Sequence, residues 1–518
     1  FRVMRLNNGI YGQRQGGTNQ MVRIKLPAGT ITPEQMELMG ELATEFSRGW
    51  GHITTRQNIQ FHYVQLARIP DLLRRLAAVG LTSREACGDT VRNVMACHLA
   101  GACPYEKLDV TPWAEAVYRH FVRNPLGQRL PRKFKVNFSG CSTDCGQAMF
   151  NDVGVVGATR QREDGSTEVG FRVYIAGGLG ATPHPALALE EFTTREELLP
   201  TVEAVLRVFE QTGNRDNKLR ARLKWVVDQL GIDEVRRRVI KIRHTLPASS
   251  SWPGGIPAEV LTAGDAPAGR ITEGEVSQVG QSTIINFTSS DPFRRWENAS
   301  VIRGAANGTV SAIAYAPLGD ITADQFRALA TIQRHFKSDV RLSNRQNVVF
   351  RSLQPSQMRE LYDMLDAIGM ARPGAELARD VVACPGADTC NIAVTQSRGL
   401  AKSIGDVFGS VVQNAVNAEL NNSFGDISRT IAMASGGVVP TREIGSGLSI
   451  GERIGKFISN ALAISIESSA SRIIQNLNRE LNLEGGDPGG NGGAPAGEVP
   501  PAEISEDQRK ASGDLIKY

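Results

Sequence analysis

At 518 residues the chain is too long for one hydrophobic core, and its length suggests roughly three compact units. Hydrophobic residues at 41% and charged residues at 22% exclude both an intrinsically disordered chain and a membrane-embedded one. The formal charge of +4 does not mark a nucleic-acid partner; the densest basic run, Arg236, Arg237, Arg238, Lys241 and Arg243, lacks interleaved aromatic residues and reads as a solvated helix face.

No run of about 18 apolar residues occurs, so no membrane partner is expected. No basic-then-apolar leader opens the chain, and a cytoplasmic location is the expectation, although Phe1 as first residue leaves a trimmed leader open.

In chain order, a strand-like segment carries Arg23, and Thr32 followed by Pro33 and Glu34 signals a helix start. Asn58 to Val64 alternates polar and apolar residues, which predicts a strand, and the next helix, from about Asp71, ends at Gly80 as a left-handed cap requires. Helix, strand, strand, helix points to an α+β sandwich rather than a doubly wound sheet. GFRVYIAGGLG at 170–180 is an apolar strand running into Gly177, Gly178 and Gly180, with spacing that departs from a dinucleotide fingerprint. Those glycines either let backbone amides approach an anionic cofactor or form a tight turn after a buried strand.

Thr245 to Gly269, rich in Pro, Ser, Gly and Ala, reads as a connector. Thr322 with Asp324 opens a second helix of the same kind. An amphipathic stretch holding Ile454, Phe457, Ile458, Leu462, Ile473, Ile474 and Leu477 is the expected final helix. Residues 484–503, rich in Gly, Pro and Ala, suggest a disordered tail after Leu483.

The chain repeats itself. Thr54, Thr55, Arg56, Gln57, Asn58 recurs as Ser343, Asn344, Arg345, Gln346, Asn347, and Gly80 recurs as Gly369. Cys97 and Cys103 recur as Cys384 and Cys390, with Arg92 and Arg379 each five residues ahead of the first cysteine. Landmarks kept in register over about 290 residues indicate an internal duplication, far longer than a solenoid period.

Seven cysteines are too few for a secreted disulfide framework in so long a chain. Cys97, Cys103, Cys141 and Cys145 form a C-x5-C and a C-x3-C pair, a set of soft thiolates that suits an iron-sulfur cluster better than zinc. Cys87 reads as a buried thiol, and the histidines, His98 included, as satisfied or exposed side chains rather than ligands. Beside the cysteines stand Arg23, Arg56, Arg92, Lys133 and Lys135. In an extended segment Lys133 and Lys135 point the same way, and cations gathered in a cleft suit a small anion.

These residues resemble the nitrite and sulfite reductases that contain sirohaem and consist of two fused copies of one half. The resemblance runs from about Tyr11 to Ala401 and rests on QMVRIKLPAGTIT, TTRQNIQFHYV, TVRNVMAC, LPRKFK, SGCSTDCGQAMFNDVGVVG and VVACPGADTC. It implies an α+β chain of two pseudo-symmetric copies, each with a ferredoxin-like half domain and a larger mixed sheet and helix domain. The expected divisions are 1–85 and 86–244 for the first copy, 245–269 for the connector, 270–372 and 373–483 for the second copy, and 484–518 for the tail.

The resemblance further implies a [4Fe-4S] cluster sharing a cysteine sulfur with the sirohaem iron, and the six-electron reduction of nitrite or sulfite by electrons from ferredoxin or a flavoprotein. By matching motifs, Arg23, Arg92, Lys133 and Lys135 look like the anion and proton-donor set. Arg56, Gln60 and Asn58 look like sirohaem contacts, with Gly177 and Gly178 as further candidates. Thiolates and cations are thus expected to serve one tetrapyrrole.

The pattern departs from the family after about residue 402. Well-known members carry both cysteine pairs in the second copy, whereas here GDISRTIAMASGG stands where the second C-x3-C is expected, and only GERIGK at 451–456 echoes the family. Either the cluster sits on Cys97, Cys103, Cys141 and Cys145, with Cys384 and Cys390 an incomplete alternative, or the second site and its activity are lost. A non-catalytic paralogue that keeps the fold, or a structural zinc module, are the rival readings.

Overall fold

The computed structural model describes residues 1–252, 255–261, 291–303, 308–377 and 379–407. The expected final helix, GERIGK and the expected tail lie outside the described residues.

Two five-stranded antiparallel sheets each end in a strand lent by the other copy. One runs Ile10–Gly12, Asn19–Ile24, Ile59–Gln65, Trp50–Ile53 and then Asp320–Thr322 of the second copy. The other runs Val301–Ile302, Val310–Ala314, Val348–Leu353, Asp339–Leu342 and then Thr30–Ile31 of the first copy. The exchange is reciprocal: Asp320 pairs with His52, and Arg341 with Thr30.

Each lent strand leads straight into a helix. Pro33–Phe46 starts on a capping box between Thr32 and Gln35, and Ala323–Phe336 on one between Thr322 and Gln325. The two helices cross where Gly40 has no side chain; a Cβ there would lie 2.7 Å from the Ala323 carbonyl oxygen. Met36, Met39 and Phe61 of the first copy share one apolar cluster with Phe326, Leu329 and Phe350 of the second. The two ferredoxin-like halves therefore fold around a common core rather than two separate ones.

The larger domain of the first copy is built on a mixed sheet in the order Leu187–Thr193, Thr167–Ile175, Val153–Gln161, Val136–Ser139, Met95–Ala96. Its last three strands are parallel and the rest antiparallel. The helices Thr111–Phe121 and Arg195–Thr212 contribute Trp113 and Phe209 to a core that also holds Phe134, Phe138 and Phe171. The basic run lies on the helix Ile232–Arg243, where Arg237 and Arg238 pair with Glu234 and Arg243 with Glu190, so its charge is locally compensated.

The expected connector begins as packed structure. Trp252 is buried against His120, their rings 3.9 Å apart, and its indole donates to the Pro247 carbonyl at 2.8 Å. A large aromatic residue with apolar surface to hide overrides the loop-like composition around it. The second copy's larger domain is described only to residue 407, with helix at 397–407. Among the described residues no helix is long and apolar enough to cross a membrane.

Candidate active site and cysteine cluster

Arg23, Arg56, Arg92, Lys133 and Lys135 converge on a cavity of about 400 Å³, together with Asn58 and Gln60. Strand geometry explains the gathering. Met21 and Arg23 alternate onto the cavity face of Asn19–Ile24, and Asn58, Gln60 and His62 do the same along the neighbouring strand, while Ile59 and Phe61 turn into the core. Arg23 and Gln60 are direct cross-strand partners. Phe134 is fully buried, so Lys133 and Lys135 on either side of it face the cavity together.

Among the described residues none of these five cations makes an ion pair. Arg56 donates to the side-chain oxygens of Asn137 at 3.0 Å and Asn151 at 3.2 Å and to the Asn93 carbonyl at 2.6 Å. Arg92 donates to the Ala86 and Gly88 carbonyls, both at 2.9 Å, and Arg23 to the Ala86 carbonyl at 3.2 Å. The nearby carboxylate of Asp152 is engaged by Arg222 at 2.8 Å.

Charge crowding falls on the lysines. Burial first, then Arg56 and Lys133, lowers the pKa of Lys135 to about 6; burial and then Arg92 lowers that of Lys133 to about 8. Burial also lowers Arg56 to about 9 and Arg92 to about 10, values that leave both guanidinium groups charged at neutral pH.

Two histidines not expected as site residues complete this wall. Burial holds His52 and His62 neutral, each with its pKa lowered to about 3. His52 Nδ1 lies 3.0 Å from Asp320, and its Nε2 lies 3.1 Å from Gln346 Nε2, which fits an imidazole that donates to Asp320 and accepts from Gln346. Among the described residues neither ring nitrogen of His62 has a partner. The signal for His62 was present in the sequence, since it follows Asn58 and Gln60 at a spacing of two.

The opposite wall belongs to the second copy: Gln346, Ala383, Cys384, Pro385, Thr389 and Cys390. Gln346 clasps Ala383, donating to its carbonyl at 3.0 Å and accepting from its amide at 2.9 Å. Cys384 is exposed and lies 3.5 Å from the Ser397 hydroxyl.

Cys97, Cys103, Cys141 and Cys145 are brought together elsewhere. Cys97 follows the strand Met95–Ala96, and Cys141 and Cys145 follow its parallel neighbour Val136–Ser139, so both loops leave the carboxyl ends of adjacent strands. Cys97 neighbours Cys145 and Cys103 neighbours Cys141; each pairing lowers the second thiol, Cys141 to about 6, and raises the first. Gly146 permits the turn after Cys145, because a Cβ there would lie 2.1 Å from the Phe138 carbonyl oxygen. Among the described residues no three or more His, Cys, Asp or Glu side chains converge closely enough to hold a single metal ion. Cys87 is fully buried.

None of these four cysteines lines the cation pocket. Arg92 and Lys135 stand at the amino ends of the strands whose carboxyl ends carry Cys97 and Cys141; the parallel bridge between Val91 and Phe134 marks that amino edge. The six residue steps from Lys135 to Cys141, if extended, span up to about 20 Å. Cations and thiols close in sequence are therefore held at opposite edges of the sheet. Gly177 and Gly178 also lie outside the pocket. A Cβ at Gly177 would meet Phe150 Cα at 2.7 Å, and Gly178 forms a bridge with His184, the geometry of a packed turn.

The chain matches family models over both halves. The nitrite and sulphite reductase 4Fe-4S domain matches residues 87–245, and the nitrite/sulfite reductase ferredoxin-like half domain matches residues 11–79 and again 304–368. The chain is 29% identical over 407 residues to an assimilatory ferredoxin-dependent nitrite reductase of Haloferax mediterranei, covering 75% of this chain and 64% of the relative. It is 26% identical over 386 residues to a ferredoxin sulfite reductase of Mycobacterium tuberculosis, covering 74% and 62%. It thus spans somewhat less than two thirds of the length of these curated relatives. Among solved structures, the Mycobacterium tuberculosis NirA protein matches with a TM-score of 0.63 at 25% identity, over 79% of this chain and 70% of that one.

Proposed function

Because the chain belongs to the nitrite and sulphite reductase family, we propose that it reduces a small oxyanion, nitrite or sulfite, with single electrons from a ferredoxin or flavoprotein, using sirohaem and a [4Fe-4S] cluster. The observation that carries this reading is the pocket, where five basic side chains, none paired with a carboxylate among the described residues, face one cavity. Buried charge of one sign calls for a bound counter-charge.

The many carboxylates of sirohaem match that requirement. Arg56, Asn58 and Gln60 are the residues to hold it; Arg56 Nε is buried without a partner among the described residues and can donate to such a ligand. When bound, the group supplies the redox chemistry at iron. The protein's part is electrostatic. Arg23, Arg92, Lys133 and Lys135 bind and orient the oxyanion, and an anion beside Lys135 raises its depressed pKa toward neutrality, so that Nζ holds a proton for delivery.

The cluster fits Cys97, Cys103, Cys141 and Cys145, four thiols on two loops that leave the carboxyl ends of adjacent parallel strands within the stretch matched by the 4Fe-4S domain. It does not fit the pocket's own thiols, because among the described residues Cys384 and Cys390 are the only cysteines that line it and a four-iron cluster needs four. That shortfall supports a second reading, a subunit that keeps the fold and cofactors without turnover. The test of the main reading is the optical and paramagnetic spectrum of the anaerobically prepared protein. Haem and cluster signals are expected, and absence of both contradicts it.

A further inference from the structure

The two pseudo-equivalent sites are built differently. At the cation pocket the cross-strand partners Arg23 and Gln60 face the cavity. The corresponding partners in the second copy are Ile313 and Val349, both buried in the apolar cluster that contains Cys97 and Cys103. Where one site offers a guanidinium and an amide, the other offers hydrocarbon.

The cations on the cysteine side are also spoken for. Arg351 pairs with Asp339 at 2.8 Å and donates to the Ala100 carbonyl inside the first cysteine loop. Arg341 pairs with the same carboxylate at 3.5 Å and donates to Thr111 at 2.9 Å. Arg345, the counterpart of Arg56, turns to Glu376, whose carbonyl accepts from it at 3.3 Å. Asn344 donates to the Cys145 carbonyl at 2.8 Å, which seats the second copy's loop on the cysteine loop. A polyanionic macrocycle requires unpaired cations to meet its carboxylates; on this side Arg341 and Arg351 pair with Asp339, and Arg345 is turned to Glu376.

We infer that Cys97, Cys103, Cys141 and Cys145 hold a four-iron cluster that stands alone, with no tetrapyrrole bridged to it through a cysteine sulfur, while the cation pocket takes its anionic ligand as a separate site. This rests on the cluster assignment above and adds the separation of the two centres, a division of labour imposed by the opposite ends of one strand pair.

The test uses the full chain, prepared anaerobically, with iron and acid-labile sulfide analysis and paramagnetic spectra before and after sirohaem is added. About four irons and four sulfides per chain are expected, retained in the C384S/C390S double variant and lost in C141S. The reduced cluster signal of the unsubstituted protein is expected to keep its shape when sirohaem binds, a readout independent of whether any variant folds. Loss of the cluster in C384S/C390S, or cluster and haem signals that change together, overturns the separation while leaving a reductase. Absence of iron and sulfide from every preparation overturns the reductase reading and the separation with it.

Discussion

Lys135 and Cys141 bracket the strand Val136–Ser139, the lysine at its amino end facing the cation pocket and the cysteine at its carboxyl end among the four thiols. An extended strand keeps its ends apart, so closeness in sequence becomes separation in space.

Replacing Lys133 or Lys135 by Met keeps the bulk of the side chain and removes a charge from the pocket. Turnover of nitrite or sulfite is expected to fall by about 100- to 1,000-fold for each, the range for loss of one electrostatic donor at a reacting centre. The haem spectrum should be retained. A subunit without turnover has no rate to lose, so steady-state assays of the unsubstituted protein and both variants separate the two readings.

Anion binding should weaken as pH rises from about 6 to about 8, as Lys135 and then Lys133 lose their protons. The stability of the ligand-free protein should move the other way. Both folded pKa values lie below the ordinary lysine value of 10.5, so above about pH 6 the native state binds fewer protons than the unfolded state, and stability rises with pH through that window. Denaturation midpoints at pH 6 and pH 9, with and without the oxyanion, check both signs; a ligand-free midpoint that falls with pH contradicts the charge assignment.

The duplication, the helix starts at Thr32 and Thr322, and the shared facing of Lys133 and Lys135 were legible in the sequence because each rests on local spacing. The strand exchange was not, since Thr30–Ile31 and Asp320–Thr322 are too short to show a period and their partners come from the other copy. Nor was the distance between Arg92 and Cys97, because sequence order gives the number of intervening residues and not whether they bend or run straight. Trp252 shows the same limit at the connector, where composition reads as loop and one buried ring decides otherwise.

Asn344→Ala removes the donor to the Cys145 carbonyl and is expected to cost about 1–3 kcal/mol, the range for a buried partner left unsatisfied. Urea denaturation measures the loss. Iron retention on dilution should fall in parallel, since the same bond positions a cysteine loop.

Gly40→Val places a branched side chain where the Ala323 carbonyl, Arg327 and Phe326 already crowd. Overpacking at this crossing should cost at least about 1–3 kcal/mol. Because the two halves share one core, thermal unfolding of the variant should shift as one transition for probes in both halves; two separated transitions contradict a common core.

The most direct measurement is an anomalous difference map at the iron edge from crystals of the loaded protein. A four-iron peak among Cys97, Cys103, Cys141 and Cys145, with a separate single iron in the pocket between Arg23 and Cys384, is the expected result. Iron clustered on Cys384 and Cys390, or a first-copy cysteine site without iron, contradicts the account.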